Sequence, residues 1–384
     1  MHDFRTLLRA PGLGRAIATQ LAARVPAGMY TLGILMHVAH VQGSYTPAGF
    51  VVAAMSIGVA VAGPLTSRWL STAGTVPVLA STLVVSSAAF AVLALAPLPV
   101  WAQMVVAAVG GAATPPVMSA VRTLYPTLTP PHLLTALFSL DAALQEIIWV
   151  VGPVLITALV ATVGTTSALL VVVALQLVGG ALFILAPDVR RLRIPPAPHR
   201  LGKVLHNPTV LAMMLCSLML IGALATVEVA VVATFGHGSV LGGLVLAICS
   251  VGSLIGGLWA GNRVLSRWSM PRRLLVVLGG LLLSTVLTGF WGLSLALFVA
   301  GLGTAPALAT VSSTVAAATT MAETAEAYGW IGTGQLLGAS ATTAIAGLAI
   351  DGFGPPGGFA VAAVVGALAV LVAVAFRNAT PALH

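Results

Sequence analysis

Apolar residues fill runs of about 20 positions from one end of the chain to the other, and polar residues cluster in the short breaks between them. A run of that length crosses a bilayer as an α-helix, at about 1.5 Å of rise per residue. Twelve runs can be traced, at about 16–39, 47–68, 76–96, 99–121, 134–161, 166–186, 208–235, 239–262, 273–291, 293–316, 327–350 and 357–376. The breaks carry turn chemistry: Gly43–Pro47, Pro97–Pro99, Pro130–His132, Gly164, Gly236–Gly238, Gly292 and Gly352–Gly358. The alternating ten-residue segments of an outer-membrane barrel are missing. The pattern predicts an all-α integral membrane protein with twelve transmembrane helices.

Composition agrees with the pattern. Charged residues make up 6% of the chain, hydrophobic residues 59%, and the mean hydropathy is +1.09. A soluble domain carries about 25% charged residues. The net charge of +8 would suggest nucleic acid in a soluble protein. Here the cations flank apolar runs, so the partner is the bilayer, with anionic lipid headgroups at the cytoplasmic face, and no nucleic acid. With both termini cytoplasmic, inner segments hold Arg5, Arg9, Arg15, Arg68, Arg122, Arg190, Arg191, Arg193, Arg200, Lys203, Arg263, Arg267, Arg272, Arg273 and Arg377, and outer loops hold no cation. Cations favour the cytoplasmic side, so twelve crossings with this orientation fit. Residues 1–14 form an interfacial lead-in without the apolar core and cleavage site of a signal peptide. Cys216 and Cys249 both fall inside apolar runs, which implies neither a disulfide framework nor a metal site. His37 and His40, three apart at the outer end of the first run, have no carboxylate or thiol nearby and are expected to be a wet, uncoordinated pair. No nucleophile elbow, phosphate-binding loop or metalloprotease motif occurs, so neither an enzyme nor a cofactor is implied.

The longest inner connection, 187–207, contains Pro187, Pro195, Pro196 and Pro198 with most of the central basic residues. It separates an N-terminal six-helix bundle (15–186) from a C-terminal one with a short cytoplasmic tail (208–384). The halves resemble each other. Ser56, Gly58 and Gly63 recur as Ser250, Gly252 and Gly257, an offset of 194 (250 minus 56). Gly110 and Pro115 recur as Gly301 and Pro306, an offset of 191 (301 minus 110). Two pseudo-symmetric bundles with a cavity between them are the architecture of many secondary transporters.

The Gly63, Pro64, Leu65, Arg68 and Gly74 run after the second helix, the six-plus-six arrangement and the basic central loop together resemble the major facilitator superfamily over the whole chain. The acidic and basic pair of that family's loop would fall on Ser71 and Thr72, so the charged latch is missing. Gly257, Gly261, Arg263 and Arg267 form a looser second copy. The family's fourth-helix arginine would fall near Val106 and is absent. The fifth-helix antiporter signature keeps Gly152 and Pro153, with Ile148 and Ile156 in place of glycines. The stretches 139–153 and 326–338 are similar to bacterial, actinobacterial-type drug-efflux members. The resemblance implies alternating access, proton antiport, efflux of a small molecule, a monomer in the bacterial inner membrane, and a gating loop of Gly63, Pro64, Arg68, Gly257 and Arg263.

Charges inside the runs are the candidate chemistry, because an ionisable side chain within a bilayer is expensive to keep there. Arg24 is read as the one cation inside a run, and Asp141, Glu146 and Glu228 as the acids. Arg24 and Asp141 enter from the same side and lie at matching depths of roughly 10–12 Å. Asp141 is therefore the first choice of partner for Arg24, and Glu146, roughly 7–8 Å deeper, the second. Gln145 shares the face of Asp141, whereas Glu146 points about 140° away. Protonation of such an acid could couple proton binding to a helix movement. Glu228, nearer the outer face, is a further proton or substrate site. Tyr30, Gln20, Phe138, Gln145, Trp149, Trp330 and Gln335 are candidates to line a pocket for a small amphipathic organic substrate. Trp101 and Trp268, near span ends, suit interfacial anchoring. The alternatives are an importer of a small carboxylate held by Arg24, and a membrane sensor that transports nothing.

Overall fold

Prolines set where the crossings bend. In this computed structural model, which describes residues 12–196, 200–236, 239–260 and 265–378, the first run divides into α1 (Leu13–Arg24) and α2 (Ala27–Gln42). Pro26 has no N–H, so the carbonyl of Ala22 loses its helical donor. Val25 and Pro26 both keep right-handed helical torsions, and the two pieces make one kinked crossing instead of the single helix expected over 16–39. The second and third crossings are α3 (Tyr45–Thr72) and α4 (Thr75–Leu95).

The fourth crossing breaks at Pro115 and Pro116 into α5 (Val100–Ala112) and α6 (Val117–Leu128). Its helix runs on to Leu128 instead of stopping at 121. Arg122, expected in an inner segment, is thereby buried inside α6. That corrects the reading of Arg24 as the one cation within the crossings. The chain continues through α7 (Leu134–Val163), α8 (Thr165–Leu185) and a short α9 (Pro187–Arg191). The C-terminal bundle comprises α10 (Pro208–Phe235), α11 (Val240–Ala260), α12 (Ser269–Val286), α13 (Gly289–Ala318), α14 (Met321–Phe353) and α15 (Pro355–Ala375). Among the described residues eleven segments, with α5 and α6 taken as one, are long and apolar enough to cross a membrane. The kinked α1–α2 pair completes twelve.

The internal repeat is visible in the packing. A Cβ on Gly58 would lie 2.2 Å from the carbonyl oxygen of Ala108, and one on Gly111 2.1 Å from that of Met55, so α3 and α5 touch backbone to backbone. In the other half a Cβ on Gly252 would lie 2.4 Å from the carbonyl oxygen of Phe298, and one on Gly301 2.1 Å from that of Cys249. Small residues permit this approach where lipid supplies no hydrophobic drive between helices. By these contacts Gly301 stands where Gly111 stands, an offset of 190 (301 minus 111), so Gly110 is displaced by one from the match read in the sequence.

Three apolar clusters hold the two bundles. One, with Leu220, Leu274 and Leu297, fills the C-terminal bundle. A second, with Leu70, Tyr125 and Phe183, fills the linker end of the N-terminal bundle, and a third, with Met29, Phe90 and Leu169, its opposite end. Ala142 belongs to the C-terminal cluster, and Ala309 and Ala325 to the second, so the halves interleave at the linker end. There the Arg68 guanidinium lies 2.8 Å from Glu326, Thr333 Oγ1 donates to the Ala60 carbonyl at 2.6 Å, and a Cβ on Gly257 would sit 3.3 Å from the Ser139 carbonyl. These contacts reach from the linker end to mid-helix at Ala60, and none of them extends to the opposite ends. The structure is a conformation closed at its basic end.

Candidate functional site

Three helix faces each supply a pair of polar side chains at helical spacing. Gln20 and Arg24 lie four apart at the end of α1, just before the Pro26 kink. Arg122 and Tyr125 lie three apart on α6, and Asp141 and Gln145 four apart on α7. Residues three or four apart share a face. The three faces meet around Asp141, which is 1% exposed.

Asp141 Oδ1 accepts from Arg24 Nη1 at 3.0 Å, Tyr125 OH at 3.1 Å and Gln20 Nε2 at 3.3 Å. Its Oδ2 accepts from Arg122 Nε and Nη2, both at 3.3 Å. Every contact brings a donor to the carboxyl, the pattern of an ionised carboxylate, which only accepts. Arg24 also donates to Gln20 Oε1 at 2.7 Å and to Gln145 Oε1 at 2.6 Å. Gln145 is half-buried and so connects the buried cluster to a more open surface. Two guanidinium groups thus share one carboxylate. Nη1 of Arg122 and Nε of Arg24 donate to no group among the described residues.

The cluster touches the other half. The Arg122 guanidinium carbon stands 5.6 Å from the ring centre of Tyr328 on α14, a cation–π distance. Tyr328 OH is held by the Ser312 carbonyl at 2.8 Å. Two residues earlier, the buried Glu326 accepts from Arg68 at 2.8 Å and from the backbone N–H of Gly202, in the linker, at 2.7 Å. The Ser67 and Ser119 hydroxyls, 2.8 Å apart, tie α3 to α6 behind this gate.

Of the residues expected from the sequence, Arg24, Asp141, Gln20 and Gln145 come together. The Glu146 side chain lies outside the described residues. Glu228 is exposed on α10 and is not joined to the cluster; it lies eleven residues from Ser217, which is three turns along the same face. Ser217 accepts from Gln335 at 2.7 Å. Trp149 is exposed on α7. Trp330 is half-buried, and its indole N–H has no partner among the described residues. Tyr30 is buried with its ring centre 4.3 Å from that of Phe90, and its hydroxyl has no partner among the described residues. Phe138 is fully buried, edge-on to Tyr125 at 5.8 Å, and so presents no surface to a ligand in this conformation. Gly63 and Pro64 lie against Gly329, where an added Cβ would be 2.8 Å from the Pro64 Cα. Arg263 lies outside the described residues.

Sequence reasoning missed Arg122, Tyr125, Glu326 and Tyr328. The available signals were the Arg–Tyr spacing on one helical face and the double proline upstream, which lets the helix restart. His37 is not a wet residue: it is buried, with Nδ1 3.3 Å from the Thr165 hydroxyl. Among the described residues no group of three His, Cys, Asp or Glu side chains could hold a metal ion.

The sequence matches the Major Facilitator Superfamily over residues 19–294. The Sinorhizobium fredii protein y4rN, described as an uncharacterized MFS-type transporter, is 26% identical over 330 residues, which are 79% of this chain and 80% of that protein. A bacterial homologue of the iron transporter ferroportin, crystallised in an outward-facing state, superposes with a TM-score of 0.76 at 13% identity, covering 95% of this chain and 99% of its own. The human organic anion transporter MFSD10 gives 0.73 at 16% identity, with 94% and 99% covered. The Escherichia coli fucose:proton symporter FucP gives 0.73 at 15%, with 97% and 99% covered. At such identities the structural likeness is one of fold. The family match, the twelve crossings and the two repeated halves place the chain among transporters and not enzymes: it belongs to the major facilitator superfamily.

Proposed function

We propose that the protein is a proton-coupled secondary active transporter that exports a small amphipathic organic molecule by alternating access. It would sit as a monomer in a bacterial inner membrane, with both termini and the basic linker on the cytoplasmic side, against anionic headgroups. The observation that carries this reading is the Asp141 cluster, a buried carboxylate clamped by two arginines, one of which also stacks on the opposite bundle.

The coupling follows from elementary electrostatics. Ionised, Asp141 holds Arg24 on α1 and Arg122 on α6 with charge-assisted bonds, which are about twice as strong as neutral ones. A proton on Asp141 removes that charge and one acceptor position. Arg122 is then free to move off Tyr328, and the neighbouring Arg68–Glu326 pair loses a rigid backing. The basic end can part while the opposite end closes. Glu228 is a further proton site on the facing wall.

Substrate contact is assigned to Trp149, Gln145, Gln335 and Trp330, with Gln20 and Tyr30 behind them. Apolar walls with few polar groups suit an amphipathic compound. They do not suit a sugar, which asks for many hydrogen-bond partners.

The test is flux in proteoliposomes under an imposed pH gradient, comparing the unaltered protein with Asp141→Asn, Glu146→Gln and Arg24→Ala. Gradient-driven flux should fall at least about 10-fold in Asp141→Asn, as expected when a proton-transfer group is removed. Undiminished flux in all three variants would sink the assignment. Flux measured in both directions separates export from import in the same fold.

A further inference from the structure

The donors that would hold an anionic substrate are already occupied, by the protein's own carboxylate. Arg24 and Arg122 approach Asp141 from two helices and bond separate oxygens of it. Among the described residues the charged groups facing Asp141 are Arg24 from α1 and Arg122 from α6. Tyr125 donates its hydroxyl, and Tyr328 stands behind Arg122 from α14. These described groups, two cations and one anion, leave one surplus positive charge in a site where burial makes an uncompensated charge expensive. Gln145, which accepts from Arg24, is half-buried, and Arg122 Nη1 donates to no group among the described residues.

We infer that the transported compound carries an anionic group that replaces the Asp141 carboxylate between Arg24 and Arg122, so that a proton on Asp141 and the anion bind together. This rests on the proton-coupled reading above and adds the substrate class and the sign of the coupling. The balance is simple. The proton lands on an Asp141 oxygen, the bonds from both arginines to that carboxylate are released, and the incoming anion accepts them. The charge of the site is the same before and after, since the compound brings the negative charge that Asp141 gives up. With Asp141 ionised, the anion must compete with a carboxylate held inside the protein at high effective concentration.

Co-binding makes proton and anion move in one direction. Net export then follows whenever the compound's outward gradient exceeds the inward proton gradient, as for an acidic product that accumulates inside. It departs from the proton exchange that resemblance to efflux members implies. A chain closed at its basic end keeps Tyr328 over Arg122, and opening that end would uncover Arg122 to an anion.

Binding of naphthalene-2-sulfonate to the purified protein in detergent tests this, because a sulfonate stays ionised at every pH used. Its affinity should rise as pH is lowered, by up to about 10-fold per unit for one linked proton. Asp141→Asn should bind it at least about 10-fold more tightly at neutral pH and lose the pH dependence. Arg122→Gln and Arg24→Gln should abolish binding, and Arg24→Lys, which keeps the charge, should retain part of it. Thermal unfolding of each variant identifies any that fail to fold. The inference is overturned by no sulfonate binding at millimolar concentration, by tighter binding of the matched naphthylmethylammonium, or by Asp141→Asn binding that is no tighter or still pH-dependent. No gradient is needed for binding, so failure here leaves the proteoliposome result standing, and failure there leaves this one.

Discussion

Asp141 is a residue whose removal leaves two partners stranded. Truncation to alanine would bury two guanidinium groups beside each other without a counter-charge, and breaking a buried ion pair on one side costs about 3–5 kcal/mol. We expect Asp141→Ala to lower unfolding free energy by about that amount in a denaturant titration. The double variant Asp141→Ala with Arg24→Gln should lose less than the two single losses together, by at least about 1 kcal/mol, because one stranded charge is gone. Strict additivity would mean the 3.0 Å contact carries no coupling. The Arg24–Asp141 pair was legible in the sequence because depth along parallel helices is arithmetic: equal distance from the same membrane face brings two residues level. Arg122 was missed. It follows an apolar run of ordinary length and looks like a flanking cation, and only the Pro115–Pro116 break, with its helical restart, carries it inside.

At the scale of elements, the cluster depends on helices held closer than side chains would allow. A Cβ on Gly152 would stand 2.7 Å from the Gly28 carbonyl group, and one on Gly28 2.6 Å from the Ile148 carbonyl oxygen, so α2 and α7 touch through bare backbone. Gly152→Leu must push these helices apart and with them the α1 and α7 pairs that meet at Asp141. Overpacking of this kind costs typically about 1–3 kcal/mol, and loss of gradient-driven flux should accompany it. Gly347→Leu is the control, since nothing lies within 4 Å of a Cβ there; its effect should stay within about 0.5 kcal/mol. Equal losses in the two would deny the close approach its role. The small-residue pattern that makes this packing was visible in the sequence, including the recurrence between halves. Its register slipped by one between Gly110 and Gly111, because adjacent glycines look alike until a carbonyl shows which one is approached.

For the whole molecule the question is what holds one end shut. Family resemblance pointed to a missing latch at Ser71 and Thr72. The structure has a latch elsewhere: Arg68 on α3 meets Glu326 on α14, and the same carboxylate accepts the Gly202 N–H from the linker. One acid therefore joins both halves and the segment between them. No sequence pattern announces a pairing between residues so far apart in the chain, whereas the crossings follow from local apolar runs. The latch makes an ordered prediction. In a background with Cys216 and Cys249 replaced, Ser67→Cys lies buried behind the gate, and its maleimide labelling in detergent reports opening of the basic end. Arg68→Glu sets two carboxylates against each other and should raise labelling at least about 10-fold, a shift of 1.4 kcal/mol toward the open form. The swap Arg68→Glu with Glu326→Arg restores opposite charges, yet it should restore closure only in part, because an arginine offers the Gly202 N–H no acceptor. Glu326→Gln keeps that acceptor and loses the ion pair, and it too should fall between the unaltered protein and Arg68→Glu. Full rescue by the swap would mean that the linker contact bears nothing. No rescue at all would mean that the linker hydrogen bond, not the ion pair, keeps the basic end closed.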